Sequence, residues 1–171
     1  MVSFFVRPAK GITYDRQMSA GLPIVRDPLL YGMMVVGVVV CAPFFRYVGW
    51  LGDEGVLLHG AVRIVGGEVL YPDIFGILPP GGYLIVATWM KVFGAGLASV
   101  RVLSVGVIVS IAALIYAAAR LSSGSRPLAA LVAIAWAVSS PGTLTVINHH
   151  WFATAASMAA TVSLLFVVDG S

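Results

Sequence analysis

A chain of 171 residues that is 60% hydrophobic and only 10% charged, with a mean hydropathy of +0.99, lacks the polar material to cover a soluble domain of its size. Its formal charge of +3 comes from bases outside the apolar runs and points to no nucleic-acid partner. The single cysteine, Cys41, lies within an apolar run, which excludes a disulfide or a cysteine metal site within one chain. The composition predicts an all-α, multi-pass membrane protein with about four spans and interfacial helices in its first outer loop.

Residues 1–28 carry Arg7, Lys10, Arg16 and Arg26 against Asp15 and Asp27, with Pro8, Pro23 and Pro28 between them. This stretch reads as a cytoplasmic tail, because it is too long and too broken for the charged region of a cleaved signal. The first expected span is 29–45, with Arg46, Tyr47 and Trp50 after it as interface markers. Bases in the tail place the N-terminus inside, in a plasma (inner) membrane, and the stretch after the first span outside.

Three further apolar stretches are long enough to cross: 102–119, 127–147 and 151–168, with Ser139, Ser140, Pro141 and Gly142 as a break in the second. A shorter stretch, 81–93, contains Lys91 and is predicted to lie along the interface or to re-enter. If it crossed, Arg120 and Arg126 would face outside. If it does not, both arginines are cytoplasmic, and Asn148, His149 and His150 emerge on the same face as the outer loop 46–101. The charge rule and the grouping of polar residues therefore agree on four spans.

The outer loop holds four of the seven acidic residues, Asp53, Glu54, Glu68 and Asp73, together with His59. Ionisable groups are expensive to keep near a bilayer, so their concentration here marks the functional region. Leu57, Ala61, Ile64 and Val65 recur at helical spacing, His59 and Arg63 fall four apart on another face, and Gly66 and Gly67 close the pattern. A short amphipathic surface helix is predicted there. Pro72 and then Pro79 and Pro80 prevent the rest of the loop from continuing as one helix.

The order Asp53-Glu54-Gly55, then Gly67 to Asp73 as Gly-x-x-x-Tyr-x-Asp, then Pro79-Pro80-Gly81-Gly82-Tyr83, then Phe93-Gly94 and Arg101-Val102-Leu103 resembles the N-terminal part of the GT-C glycosyltransferases. It is most similar to the branch holding protein O-mannosyltransferases and the bacterial aminoarabinose transferase. The resemblance covers roughly residues 47–121 and implies that 29–171 is a GT-C-like transmembrane domain, the N-terminal portion of a longer enzyme. It implies an inverting transferase that takes a sugar from a polyprenyl-phosphate donor to a hydroxyl of a lipid, glycan or protein acceptor on the outer face. Two positions depart from the family pattern: Leu78 stands where a lysine often precedes the prolines, and Asn148-His149-His150 where an acidic residue is common.

Such transfer needs a base for the acceptor proton and a cation for the departing phosphate. Asp53, where the loop leaves the membrane, is the expected base, with Glu54 beside it. The expected substrate-binding residues are His59, Arg63, Tyr71, Asp73, Tyr83, Arg101, His149 and His150, with Lys91 as a further outer cation. No cofactor is expected, although the two adjacent histidines could help to hold a divalent metal.

Each of these residues also has a plain structural explanation. Asp53 after Gly52 suits a helix N-cap, Glu54 is favoured by the helix dipole, and Asp73 after Pro72 suits a turn. Arg101 could snorkel from a helix end, and His149, His150, Tyr83 and Trp89 could be interface anchors. The competing classes are a transporter subunit and a truncated non-catalytic membrane protein. The near absence of ionisable groups from the spans speaks against a transport relay.

Overall fold

The computed structural model describes residues 24–46, 53–139 and 146–169, the side chains of Asp53 and Asp169 excepted. Arg7, Lys10, Arg16, Tyr47, Trp50 and the expected break at Ser140, Pro141 and Gly142 lie outside the described residues. All the regular structure described is helical, apart from one isolated bridge between Leu70 and Ile74. The described residues form, in chain order, the helices α1 (Pro28–Cys41), α2 (Asp53–Val65), α3 (Pro80–Phe93), α4 (Leu97–Ser123), α5 (Arg126–Ser139) and α6 (His149–Asp169). A 3-10 turn at Ala42–Phe44 extends α1.

Local chemistry sets most of the boundaries. Asp27 caps α1, its Oδ1 accepting from Leu29 N–H at 3.1 Å, and Pro28 takes the first helical position, where its missing donor costs nothing. Gly66 and Gly67 end α2 as expected. Gly67 (φ 100°) donates to Ile64, and Glu68 N–H donates to the Arg63 carbonyl, the paired bonds of a Schellman ending. Gly124 (φ 68°) ends α4, and Ser125 Oγ accepts from Leu128 N–H at 3.4 Å to start α5. Two residues between these helices force them to run antiparallel. Asn148 caps α6, accepting from His150 N–H at 3.0 Å.

Helices α1, α4, α5 and α6 form a bundle with α4 at its centre. At one end, the Tyr116 hydroxyl of α4 donates to Asp27 Oδ2 at 2.7 Å, and Arg126 at the start of α5 lies 3.3 Å from the same oxygen. At the other end, Cys41 of α1 packs with Ile108 of α4, Trp136 of α5 and Trp151 of α6. Thus α1 and α5 run one way, and α4 and α6 run the other. Ala129, Ala133 and Ala137, four apart on α5, are all buried, and their small side chains let that helix approach closely. In lipid such packing, rather than water exclusion, holds helices together.

Burial pushes the Asp27 carboxyl up, but the Tyr116 and Leu29 hydrogen bonds and the charges of Arg126 and Arg120 outweigh it. The group sits below its ordinary value of 3.8.

Two of the helices, α4 and α6, are long and apolar enough to cross a membrane, and α1 with its 3-10 turn and α5 are shorter apolar helices. The expected boundaries need correction at two places. Helix α4 begins at Leu97 rather than 102, so Arg101 lies inside it. Residues 146–148 are irregular, so the helix expected to run to 147 does not reach that far. The stretch 81–93 is a helix, α3, that packs beside α2 and the first turns of α4 and α6 and stays outside the bundle.

Candidate functional site

The site lies at the end of the bundle where α2, α3 and the first turns of α4 and α6 meet. Helix α2 is amphipathic as its spacing predicts: Leu57 and Ala61 are fully buried, and Ile64 and Val65 pack against the same core as Tyr83, Val86 and Met90 of α3. Gly82 lets a third element join. A Cβ on it would stand 3.2 Å from the His149 Cβ and 3.3 Å from Leu57 Cδ1, so α2, α3 and α6 converge on its bare backbone. Trp89 fixes α3 to the start of α4, its ring N–H donating to the Ser99 carbonyl at 2.9 Å and to Ser99 Oγ at 3.0 Å. The tryptophan expected as an interface anchor thus spends its donor on the protein.

At the centre is a buried ion pair. Glu54, in the first turn of α2, is 5% exposed, and Arg101, one turn into α4, is 1% exposed. Arg101 donates from Nη1 to Glu54 Oε1 and from Nη2 to Glu54 Oε2, the second bond at 3.0 Å. The backbone N–H of Ile147, in the lead-in to α6, points at Oε1 from 3.4 Å. One carboxylate therefore ties together α2, α4 and the chain before α6. This corrects two expectations: Arg101 is neither a snorkelling anchor nor an outer cation open to phosphate, and Glu54 is occupied by its partner rather than poised as a base. Asp53 is the first residue of α2, next to Glu54 in the chain, and its side chain lies outside the described residues.

Two residues beyond Ile147, the His149 and His150 rings stack at 3.9 Å, tilted by 38°. The structure brings His149 against Gly82 of α3, so the histidines and the acidic loop share one end of the molecule. Among the described residues, no three His, Cys, Asp or Glu side chains gather to hold a metal ion.

The remaining expected residues form a second group around the outer side of α2. His59, Arg63 and Tyr83, with Val56, Ile74, Phe75 and Ile77, line a cavity of about 440 Å³. Arg63 is engaged by its neighbours: it pairs with Glu68 and donates to the Asp73 carbonyl at 2.9 Å. The Glu68 carboxylate also pushes the guanidinium further above its ordinary value. Asp73 behaves as the turn residue of the alternative reading, its Oδ2 accepting from Val69 N–H at 2.8 Å while its own N–H donates to the Val69 carbonyl at 3.0 Å.

Tyr71, exposed and at φ 77°, is held in a conformation costly for a bulky residue by an N–H bond to the Ile74 carbonyl at 3.0 Å. Its hydroxyl donates to the Leu78 carbonyl at 3.3 Å. Tyr83 is buried rather than interfacial. The Leu78 carbonyl stands near its hydroxyl without meeting hydrogen-bond geometry, and burial pushes its phenol above the ordinary value.

No protein-family model matches the sequence, and no curated protein or solved structure matches it either.

Proposed function

We propose that this chain spans the plasma (inner) membrane four times, through α1, α4, α5 and α6, with its N-terminus in the cytoplasm, and that it serves a GT-C-type glycosyltransferase reaction on the outer face. The shorter spans supply roughly 25 Å for α1 with its turn and about 21 Å for α5, and local bilayer thinning accommodates the difference from a core of about 30 Å. The observation that carries the reading is the Glu54–Arg101–Ile147 clamp, which holds the first turn of the acidic loop's helix beside the lead-in to the two histidines.

In this reading Asp53 is the base. The acceptor hydroxyl oxygen bonds to the anomeric carbon of the sugar, its proton passes to the Asp53 carboxylate, and the bond from that carbon to the lipid phosphate oxygen breaks. Polyprenyl phosphate leaves with the electron pair, and attack from the opposite face inverts the anomeric centre. Glu54 and Arg101 act as positioning residues that fix the helix carrying Asp53. His149 and His150 contribute hydrogen bonds to sugar or phosphate oxygens. His59 lines the neighbouring cavity as an acceptor contact, and the buried Tyr83 ring helps to shape that cavity. Arg63, Asp73 and Tyr71 hold that cavity's outer wall.

The test is Asp53→Asn in the membrane-embedded protein, assayed with a polyprenyl-phosphate sugar. Asn keeps the size and hydrogen-bonding oxygen of Asp at this first helical position, and loses only the modest favourable charge on the helix dipole, so thermal stability should stay near the parent's. Transfer should fall by at least about 100-fold, the scale of losing a general base. Undiminished turnover by the Asn variant would remove Asp53 from the mechanism.

A further inference from the structure

A large groove lies between α1 with its 3-10 turn and the first half of α4. Its volume is about 680 Å³. Phe45 forms one wall and Val102, Val105 and Val109 the other. Gly106 lies between them and opens the groove: a Cβ placed on it would meet nothing within 4 Å. Every lining residue is apolar except Arg46, which follows the 3-10 turn at the end of α1. The shorter apolar α1 and the long apolar α4 flank it, so in the four-span reading it opens toward the lipid.

Charge decides what fits. Among the other described arginines, Arg63 is engaged by Glu68, Arg101 by Glu54, Arg126 by Asp27 and Arg120 by the Gly124 carbonyl, while the exposed Arg26 stands beside Asp27 at the opposite end of the bundle from the ion pair. Arg46 is exposed and pairs with no carboxylate among the described residues. Its height in the bundle also matters. Cys41 packs against Ile108, and Arg46 comes five residues after Cys41, while Arg101 precedes Ile108 by about 10 Å of helix. The guanidinium of Arg46 therefore belongs to the same layer as the Glu54–Arg101 pair. A guanidinium at the mouth of a dry, valine-walled slot matches a phosphate carried on a methyl-branched hydrocarbon chain.

We infer that the groove between α1 and α4 seats a polyprenyl phosphate, with the first isoprene units between Phe45 and the valines of α4 and the phosphate on Arg46. The inference rests on the transferase reading for the identity of the lipid, and it assigns the lipid's seat to residues outside the 53–83 loop.

The experiment uses the full chain in nanodiscs and a long-chain polyprenyl phosphate bearing a diazirine next to its phosphate end, with no sugar attached. Photolabelling should fall on Phe45 and on residues 102–109. Arg46→Gln should weaken labelling about tenfold, the scale of a lost charge-assisted bond. Gly106→Leu, whose Cβ meets no other atom and whose side chain fills the slot, should abolish labelling there while thermal stability holds. Should that variant fail to fold, Arg46→Gln alone decides. Excess phosphatidylglycerol should not displace the probe, and if it does so on equal terms the groove is a general lipid seat and the inference fails. Labelling confined to other helices would equally overturn it. Because no transfer is measured, loss of this inference leaves the Asp53 test standing, and loss of the Asp53 test leaves the labelling result intact.

Discussion

Glu54 and Arg101, 47 residues apart in the sequence, meet as a buried bidentate pair that joins the first turn of α2 to the second turn of α4. Two ions out of water in this way attract strongly but lose their hydration, so the pair is better understood as a device for position than as a source of net stability. What it positions is the N-terminal turn of α2, and with it Asp53.

That view makes a prediction about substitutions. Arg101→Met or Glu54→Leu alone leaves one buried charge uncompensated and should cost about 3–5 kcal/mol. The double substitution removes both charges and should recover most of the loss. Denaturant unfolding in detergent micelles would measure the cycle. Single-variant losses below about 1 kcal/mol would mean that the pair is solvated like a surface bridge, contrary to the geometry.

Much of the stretch from α2 to α3 was legible in the sequence. Helix α2 and its glycine ending come from spacing and from residues that tolerate positive φ, and both are local. The ion pair was not legible, because a charged residue at the edge of an apolar run reads as the end of a helix. Arg101 marked the expected start of a span at 102, whereas burying its charge against Glu54 lets α4 begin at Leu97. Tyr83 and Trp89 misled in the same way. An aromatic with a polar tip reads as an interface anchor, but Tyr83 is enclosed by Gly60 and Gly76, and Trp89 donates to Ser99. No local pattern announces a partner contributed by another helix.

The packing of Tyr83 on Gly60 can be tested directly. A Cβ at residue 60 would lie 2.5 Å from Tyr83 Cε1, inside any real contact, and the ring has little room because it is also close to Gly76. Gly60→Ala should therefore destabilise the α2–α3 pair by about 1–3 kcal/mol, despite alanine's better helix propensity. Adding Tyr83→Leu should relieve the clash. A Gly60→Ala variant as stable as the parent would show that α2 and α3 stand further apart.

The opposite end of the bundle predicts an acid response. Asp27 has a folded pKa below its ordinary value, so its ionised form stabilises the fold. That contribution is present above the ordinary value of 3.8 and is lost as pH falls through the folded value. Tyr116→Phe removes the hydroxyl that donates at 2.7 Å, one of the interactions that lower the pKa. The variant should begin to lose this contribution at a higher pH than the parent. Thermal unfolding of both proteins from about pH 2 to 5, which brackets the ordinary carboxylate value and the range below it, would show the displaced curve. Coincident curves would mean that the Tyr116 bond does not discriminate between the charged and neutral carboxyl.

Topology gives the last prediction, and it decides whether the two ends of the bundle face opposite sides of the membrane. Phe75 is 88% exposed in the stretch between α2 and α3, and Ser123 is exposed at the turn between α4 and α5, close to Arg120 and Arg126. The native Cys41 is buried and is replaced by alanine to give a silent background. In intact cells, Phe75→Cys should react with an impermeant thiol reagent, and Ser123→Cys should react only after the membrane is opened. The arginines beside the turn support this order, because basic residues next to spans stay in the cytoplasm. Reaction of both positions from outside would put the α4–α5 turn on the same side as α2. The helix α4 would then not cross, and neither the four-span arrangement nor a lipid seat between α1 and α4 would survive.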